Sequence, residues 1–394
     1  MKILITTEWY KPVINGVVTS VLNLQRELTD MGHEVKILTL SNTKDSYTEG
    51  DVTYIASVSA ELVYPQARLA IGMWSEEIRK LIAWGPQIIH SQCEFSTFLI
   101  AGKIAGELNI PIVHTYHTVY EDYTHYFSPV KKWGRAAVSA FTRKVLSHTQ
   151  CVIVPTEKVR QILLRYGVAE EIRVIPTGID MEKYSHTLSG DERVNLRLQL
   201  GIPVQAGVAV FVGRLAQEKN LEEIISMLSL AKPENFRLLI VGDGPHRQAL
   251  EAYVDECGIR DMVIFTGMVS PDEIYKYYQV GDVFVSASTS ETQGLTYVEA
   301  LANGLPALCR KDECLKDVVK NGINGWQYED FNEFSEKLKL FLKPENREMR
   351  FKMSVNAREG VYQRYSSGCF AANVLDAYAG TIRKSAVFGM MRAV

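Results

Sequence analysis

Residues 290–299 read Ser290-Glu291-Thr292-Gln293-Gly294-Leu295-Thr296-Tyr297-Val298-Glu299. The short apolar run Val283–Ser286 before them predicts a buried strand, and the apolar positions of Leu295–Ala302 predict a helix. Gly294 stands where the backbone turns from the loop into that helix. The segment is therefore a strand–loop–helix unit, from which parallel sheets covered by helices are built.

The same alternation of short apolar runs and longer helical patterns occurs in both halves of the chain. The predicted strands of the first half are Lys2–Thr7, Val35–Leu40, Gln87–Ser91, Pro111–Tyr116, Cys151–Pro155 and Arg173–Pro176. Those of the second half are Val208–Val212, Arg237–Val241, Val263–Thr266, Val283–Ser286 and Pro306–Leu308. The pattern predicts an α/β protein with two Rossmann-like, doubly wound domains facing a cleft, with ligands at the carboxyl ends of the strands.

The length of the chain, 394 residues, suits two domains of ordinary size. The polar stretch from Thr177 to about Asp191 contains Gly178 and Gly190 and predicts the junction. We therefore expect an N-terminal domain over residues 1–178 and a C-terminal domain over residues 179–369, with helices after Asn332.

The composition is that of an ordinary globular protein, with 46% hydrophobic and 23% charged residues. A net charge of −3 gives no indication of a nucleic-acid partner. Met1–Thr6 is interpreted as a strand and not as a signal peptide, and no run reaches the roughly 18 apolar residues of a membrane span. The six scattered cysteines favour reduced thiols in the cytoplasm.

Two carboxylates flank the turn at Gly294, with seven residues between Glu291 and Glu299. The N–H groups at a helix start bind phosphate well, because they lack partners and carry the positive end of the helix dipole. Glu299 is placed to accept hydrogen bonds from ribose hydroxyls, and Glu291 from those of a sugar. The alternative is a pair of exposed glutamates at an ordinary helix start.

Two further glycine-containing loops follow predicted strands. Gly213-Arg214 and Lys219 come after Val208–Val212, so two cations are placed to neutralise a diphosphate. Gly242-Asp243-Gly244-Pro245 follows Arg237–Val241, and its glycines allow close approach to a ligand. The alternatives are solvated basic residues and an ordinary strand-to-helix turn.

The first half offers two smaller signals. Asn15-Gly16 is a turn before a helix, which indicates either a ligand-binding helix start or a plain connecting loop. His117 lies at a strand end, where it can position a reacting hydroxyl; a histidine satisfied within the fold is the alternative. Glu121 and Asp122 follow closely and can orient an acceptor hydroxyl.

Residues 123–156 contain no carboxylate. They combine cations with aromatic side chains, among them Tyr126, Lys131, Lys132, Trp133, Arg135, Arg143 and Lys144. A basic, aromatic helix is typical of a surface that lies on anionic lipid headgroups. A solvated basic face whose aromatic residues belong to the core is the other interpretation.

Together these motifs resemble those of the retaining GT-B glycosyltransferases of family four over nearly the full chain. The matching motifs are Glu291–Glu299, Gly213-Arg214 with Glu218-Lys219, Gly242–Pro245, Pro176–Asp180 and Asn15-Gly16. Within that family, Thr6–Glu8, Pro12–Gly16 and His117–Tyr123 are similar to bacterial diacylglycerol alpha-glucosyltransferases.

The resemblance implies a UDP-sugar donor and assigns roles to individual residues. Arg214 and Lys219 would contact the diphosphate, Glu291 the 3- and 4-hydroxyls of the sugar, and Glu299 the ribose, while His117 would line the reacting centre. The further donor contacts would be Gly16, Val17, Gly213, Gly242, Asp243, Val269, Gln293, Gly294, Leu295 and Thr296. The last helix, from about residue 370 to 394, would return to the N-terminal domain.

The sequence thus predicts a UDP-sugar-dependent, retaining hexosyltransferase that glucosylates the sn-3 hydroxyl of 1,2-diacylglycerol from UDP-glucose. We expect it on the inner face of the cell membrane, on the cytoplasmic side, with no metal cofactor, since the chain has no D-x-D motif. The acceptor and membrane contacts would include Glu121, Asp122, Tyr126 and the basic helix. The alternatives are another UDP-hexose, a soluble sugar or hydroxy-acid acceptor, or a nucleotide-sugar-binding regulator without turnover.

Overall fold

The computed structural model describes residues 1–60, 67–121 and 131–392. The chain divides into two compact units. The N-terminal unit comprises Met1–Gly178 together with Ser367–Val394, and the C-terminal unit comprises Ile179–Ser366. Asp122 and Tyr126, predicted to contact the acceptor, lie outside the described residues.

The N-terminal unit is built on a largely parallel sheet. Its described strands are β1 (Lys2–Thr6), β2 (Glu34–Leu40), β3 (Tyr47–Glu49), β4 (Val52–Ile55), β5 (Ser57–Ser59), β6 (Arg68–Ala70), β7 (Ile88–Ser91), β8 (Ile112–Thr115), β9 (Cys151–Val154) and β10 (Glu171–Val174). Eight of them form a sheet in the order β10-β9-β8-β7-β1-β2-β4-β3. Within the described part of this sheet only the edge pair β3–β4 is antiparallel, whereas β5 and β6 form a separate antiparallel ribbon.

Helices connect these strands. In the described part of Met1–Gly178 they are α1 (Gly16–Asp30), α2 (Glu76–Trp84), α3 (Ser96–Leu108), α4 (Lys131–Leu146) and α5 (Glu157–Arg165). Asn15 starts α1 because its side-chain oxygen accepts a hydrogen bond from the Val18 N–H at 2.9 Å. Ser75 caps α2 in the same way through the Ile78 N–H.

The C-terminal unit contains a parallel sheet whose central strands are buried on both faces. The strands are β11 (Gly207–Val212), β12 (Phe236–Val241), β13 (Val263–Gly267), β14 (Val283–Ser286), β15 (Ala307–Arg310) and β16 (Gly325–Tyr328). They lie in the order β13-β12-β11-β14-β15-β16. Along β11, Val208 and Val210 pack into one core layer, whereas Ala209 and Phe211 pack into the other.

The helices of this unit complete the alternation. They are α6 (Gly190–Gln199), α7 (Leu221–Ala231), α8 (Arg247–Glu256), α9 (Ile274–Gln279), α10 (Leu295–Ala302), α11 (Phe331–Leu342) and α12 (Arg347–Tyr365). Ser189 and Glu192 form a capping box that starts α6. The predicted α/β fold with two Rossmann-like domains is confirmed.

The last helix, α13 (Ser367–Arg392), belongs to the N-terminal unit and packs against α1. Its apolar side chains, including Phe370 and Val374, lie in the same buried cluster as Ile3 and Ile5 of the central strand. The Tyr378 hydroxyl lies 2.7 Å from Nδ1 of the buried His90 on β7. Residues far apart in the sequence therefore share one core.

No helix within residues 1–60, 67–121 and 131–392 is long and apolar enough to cross a membrane.

Candidate active site

The strand order of the C-terminal unit contains one point at which the chain reverses its direction across the sheet. From β11 the chain moves to β12 and β13 on one side, and from β14 it moves to β15 and β16 on the other. Ligands of open parallel sheets bind beside such a point, at the carboxyl ends of the strands. The loops in question are residues 213–220, after β11, and residues 287–294, after β14.

An ion pair joins these two loops. Lys219 Nζ lies 2.6 Å from Glu291 Oε1, and both side chains remain partly exposed, at 24% and 15%. Ser290 reinforces the junction because its hydroxyl donates to the carbonyl oxygen of Glu218 at 3.3 Å. Two residues that the sequence assigns to diphosphate and sugar binding, 72 positions apart, are thus in direct contact.

The second predicted cation, Arg214, lies in the same loop as Lys219. Its guanidinium donates to the carboxylate of Glu218, whose side chain is buried, while that of Arg214 is 40% exposed. Glu218 therefore holds Arg214 by a charge-assisted hydrogen bond. The loop after β11 therefore holds both predicted cations, Lys219 against Glu291 and Arg214 against Glu218.

The glycines of two loops serve close packing of backbone on backbone. A Cβ atom on Gly242 would lie 2.0 Å from the carbonyl oxygen of Gly213, and one on Gly244 would lie 2.3 Å from that of Leu215. Gly242 also has a φ of 135°, which side-chain-bearing residues rarely adopt. The loop after β12 therefore packs onto the loop after β11, a cause that the sequence alone did not reveal.

Asp243 is engaged within its own loop. Oδ1 accepts a hydrogen bond from the Gly244 N–H at 2.7 Å, and Oδ2 accepts one from Arg247 Nη1 at 3.1 Å. These bonds brace the turn between β12 and α8. Contacts of Gly213, Gly242 and Asp243 with a donor remain predictions.

Among the described residues, no side chain caps the start of α10. Gly294 precedes it with a φ of 75°, and Leu295 and Thr296 form its first turn, beside the buried Gln293. The first N–H groups of an α-helix have no partner within the helix and attract anions. Because α10 begins directly after the loop that contains Glu291, its N-terminus is a candidate anion site at the switch point.

Two tyrosines, not identified from the sequence, hold the second carboxylate. The Tyr278 hydroxyl donates to Glu299 Oε2 at 2.8 Å, and Tyr184 also forms a hydrogen bond with this carboxylate. Burial raises the pKa of Glu299, and the two hydrogen bonds oppose that shift. Glu299 is thus fixed in orientation one turn into α10. Val269, after β13, packs against the core of this unit.

The N-terminal unit has its own switch point, between β1 and β7. His117, two residues beyond the neighbouring strand β8, places Nε2 2.7 Å from Gln92 Oε1. Burial and the nearby His114 lower the pKa of His117 to about 3, so that the ring is neutral near pH 7. Because an amide oxygen only accepts hydrogen bonds, Nε2 carries the proton and Nδ1 carries the lone pair.

A polar cluster to which the sequence assigned no role includes His114, the electrostatic neighbour of this histidine. Glu94 Oε1 lies 3.3 Å from Nε2 of the buried His114, and its Oε2 accepts from the Tyr120 hydroxyl at 2.6 Å. Glu8, after β1, accepts from the Thr97 N–H at 2.8 Å, and burial raises its pKa. The available signal was positional, because Glu8 directly follows a predicted strand and Glu94 lies three residues beyond another.

The remaining predicted residues of the N-terminal unit are more dispersed. Gly16 and Val17 open α1, where Asn15 already engages the Val18 N–H. Glu121 is half-buried. On α4, Arg135, Arg143 and Lys144 are exposed, and Arg143 donates to the Tyr166 carbonyl oxygen at 3.3 Å. The first turn of this helix contains Lys131, Lys132 and Trp133.

Comparison with known proteins identifies the family. Residues 14–183 match the family Glycosyltransferase Family 4, and residues 192–360 match Glycosyl transferases group 1. HepE of Anabaena, solved with UDP and glucose, superposes with a TM-score of 0.75 at 18% identity, over 96% of this chain and 100% of that one. At that identity the likeness concerns the fold.

Two curated relatives are similar over most of their length. The chain is 36% identical over 332 residues to the alpha-monoglucosyldiacylglycerol synthase of Streptococcus pneumoniae, covering 83% of this chain and 75% of that protein. It is 35% identical over 337 residues to the enzyme of the same name from Acholeplasma laidlawii, covering 82% and 84%. The chain therefore belongs to the family-four glycosyltransferases with the GT-B fold, and it is similar to these two bacterial alpha-monoglucosyldiacylglycerol synthases.

Proposed function

We propose that the protein transfers glucose from UDP-glucose to the sn-3 hydroxyl of 1,2-diacylglycerol with retention of the anomeric configuration. The proposal places it peripherally on the inner, cytoplasmic face of the cell membrane. Its similarity to two alpha-monoglucosyldiacylglycerol synthases supports the substrate pair. The observation that carries the proposal is the Lys219–Glu291 pair at the switch point of the C-terminal unit.

In this proposal the cations bind the diphosphate of the donor, and the carboxylates bind its hydroxyl groups. Arg214 and Lys219 neutralise the diphosphate, and the N-terminus of α10 adds N–H donors for it. Glu291 accepts hydrogen bonds from sugar hydroxyls, and its contact with Lys219 holds the carboxylate beside the diphosphate site. Glu299, oriented by its tyrosines, accepts from the ribose.

The remaining donor residues are those that the family resemblance implies, and they lie after strands or at helix starts. Gly213, Gly242, Asp243 and Val269 follow strands of the C-terminal sheet, and Gln293 lies beside the start of α10. Gly16 and Val17 open α1 in the N-terminal unit.

The reaction that we propose breaks the bond between C1 of the glucose and the β-phosphate oxygen. The sn-3 oxygen bonds to C1 on the same face, and its proton passes to the departing phosphate oxygen. His117, held neutral by burial, accepts a hydrogen bond at Nδ1 and orients a hydroxyl at the reacting centre. In this mechanism the protein's cations stabilise the leaving group, and no divalent metal is required.

The decisive experiment incubates the protein with UDP-glucose and diacylglycerol in mixed anionic vesicles and examines the lipid product by NMR. A doublet of the anomeric proton with the small coupling of an α-glucoside supports donor, acceptor and retention together. Release of UDP without a lipid product would reject diacylglycerol and favour a soluble hydroxyl acceptor. A higher rate with UDP-galactose would reassign the donor sugar.

A further inference from the structure

Helix α3 carries an exposed apolar row. Phe95, directly before the helix, and Leu99, one turn later, are 48% and 59% exposed. The same side continues through the exposed Gly102 and Gly106. Positions spaced in this way lie on one face of a helix. A helix that packs on a sheet usually turns its polar residues outward, so this face is unusual.

Neighbouring elements extend the row into a surface. Phe141 of α4 stacks on Phe95, with ring centroids 5.9 Å apart. On the other side, Trp74 is 58% exposed, and Lys103 Nζ of α3 lies 2.9 Å from the centroid of its indole ring. We call these five residues, Trp74, Phe95, Leu99, Lys103 and Phe141, the α3 surface.

The charges on the neighbouring helix α4 are positive, whereas on α3 itself Glu107 interacts with Lys103. Arg135 and Lys144 are exposed on α4, which contains no carboxylate over Lys131–Leu146. Exposed aromatic rings with adjacent cations are typical of segments that lie at the boundary between lipid headgroups and acyl chains. Cations near such a boundary add attraction for anionic lipids. The composition therefore complements an anionic bilayer.

The α3 surface also adjoins the polar cluster of the N-terminal unit. The ring of Tyr120 lies 6.1 Å from that of Phe95, and its hydroxyl donates to Glu94 Oε2. Glu94 in turn contacts His114, three residues before His117. A membrane-bound α3 surface would thus place the acyl region of the bilayer next to the residues that orient an acceptor hydroxyl.

We propose that the α3 surface inserts into the interfacial region of an anionic lipid bilayer, with Trp74, Phe95, Leu99 and Phe141 as the inserted side chains. This inference deepens the proposed function and rests on it for the identity of the acceptor. It assigns the membrane contact to apolar insertion by α3 in addition to charge attraction by α4.

The test measures co-sedimentation of the full chain with vesicles of phosphatidylcholine containing phosphatidylglycerol. The double variant Trp74→Ser/Leu99→Ser should bind roughly tenfold or more weakly, because two large apolar side chains no longer enter the bilayer. The matched control is Leu198→Ser/Tyr362→Ser in the C-terminal unit, where the two side chains are 57% and 66% exposed. The control should bind within about twofold of the wild type.

A second measurement separates the membrane contact from catalysis. With dioctanoylglycerol dispersed in detergent micelles, Leu99→Ser should retain the wild-type rate within about threefold, because no bilayer has to be reached. Unchanged vesicle binding by both Leu99→Ser and the double variant would overturn the inference. So would a dimer, detected by light scattering, that these variants dissociate, since the surface would then join two copies of the chain.

The proposed function fails in a different way. If the wild type binds vesicles through the α3 surface but forms no glucolipid in vesicles or micelles, the acceptor assignment is wrong and the membrane contact stands. If the wild type forms glucolipid while the variants bind vesicles normally, the acceptor assignment stands and the proposed membrane contact of the α3 surface is wrong.

Discussion

At the scale of single residues, Lys219 contributes a cation that touches both candidate loops of the C-terminal unit. We predict that Lys219→Ala lowers kcat/KM for UDP-glucose by roughly 100-fold or more, the usual loss for one charge-stabilising donor. Initial rates of UDP release in the presence of acceptor measure the effect. Glu291 also loses its 2.6 Å partner in this variant.

Lys276→Ala is the matched control for this prediction. Lys276 also forms a 2.6 Å ion pair, with Glu273, but it lies on α9 and not at the switch point. Its removal should leave the rate within about twofold, because surface ion pairs contribute little. A Lys219→Ala enzyme as active as this control would exclude the assigned role.

The neutral His117 predicts a pH dependence of stability. Its pKa of about 3 in the folded protein lies below the unfolded value, so the unfolded chain binds more protons between these two values. The neutral His117 therefore costs no stability above about pH 6.5, and the free energy of unfolding decreases as the pH falls from there toward 3. His117→Gln should weaken this acid destabilisation, which thermal melts between pH 7 and pH 5 can measure.

His148→Gln serves as the comparison, because His148 is exposed at the end of α4. Melting temperatures of the wild type and the control should decrease in parallel on acidification. If the melting temperature of His117→Gln decreases with pH as steeply as those of the wild type and His148→Gln, then His117 is not held neutral by burial.

At the scale of elements, the packing of the β12 loop on the β11 loop depends on Gly242. A methyl group there meets the Gly213 carbonyl oxygen at 2.0 Å, and the backbone cannot move without shifting both loops. We predict that Gly242→Ala lowers the free energy of unfolding by about 2 kcal/mol more than a Gly→Ala substitution that adds only backbone strain at a positive φ. Chemical denaturation of this variant and of the control described next measures the difference.

Gly258→Ala isolates the effect of φ. Gly258 has a positive φ of 67°, but a Cβ atom added there would meet no described atom within 4 Å, so the substitution adds strain without a clash. Its expected cost is about 1 kcal/mol. Equal stability of the two variants would show that the loops separate freely, and that the glycine motif is not there for packing.

The sequence patterns predicted buried elements accurately and edge strands poorly. The buried strand β14 and helix α10 lie where the apolar runs predicted them, at Val283–Ser286 and Leu295–Ala302. The edge strand β10 was predicted two residues too late, at Arg173–Pro176, because its partly exposed residues lack a clear apolar run. β16 was not predicted, since Gly325–Tyr328 is short and only half apolar.

At the scale of the whole molecule, the C-terminal helix stabilises a sheet made from the first half of the chain. Tyr378→Phe removes a 2.7 Å hydrogen bond to His90 across 288 residues and leaves a buried ring nitrogen without this partner. The N-terminal unit should lose about 1–3 kcal/mol of stability. Hydrogen–deuterium exchange of β7 and α1 measures the loss within that unit.

Tyr362→Phe is the control, because Tyr362 is 66% exposed on α12. It should leave exchange unchanged throughout the N-terminal unit. Faster exchange of β7 in both variants, or in neither, would contradict a specific contribution from the Tyr378–His90 contact.

The amino-acid sequence alone was enough to predict the α/β class, the family and the charged residues that follow strands of the C-terminal sheet. These properties are local: apolar periodicity marks buried strands and helices, and a glycine or a charged residue after a strand marks a loop at its carboxyl end. The motif from Glu291 to Glu299 and the cations after β11 could therefore be recognised without coordinates.

The contacts that hold those residues in place became visible in the folded chain. The Lys219–Glu291 pair, the tyrosines on Glu299 and the Gln92–His117 contact join residues that are 21 to 115 positions apart. No sequence period encodes such contacts, because strand order decides which loops become neighbours. The exposed row on α3 is of the same kind, since a pattern shows which residues share a face, but packing decides which face stays open.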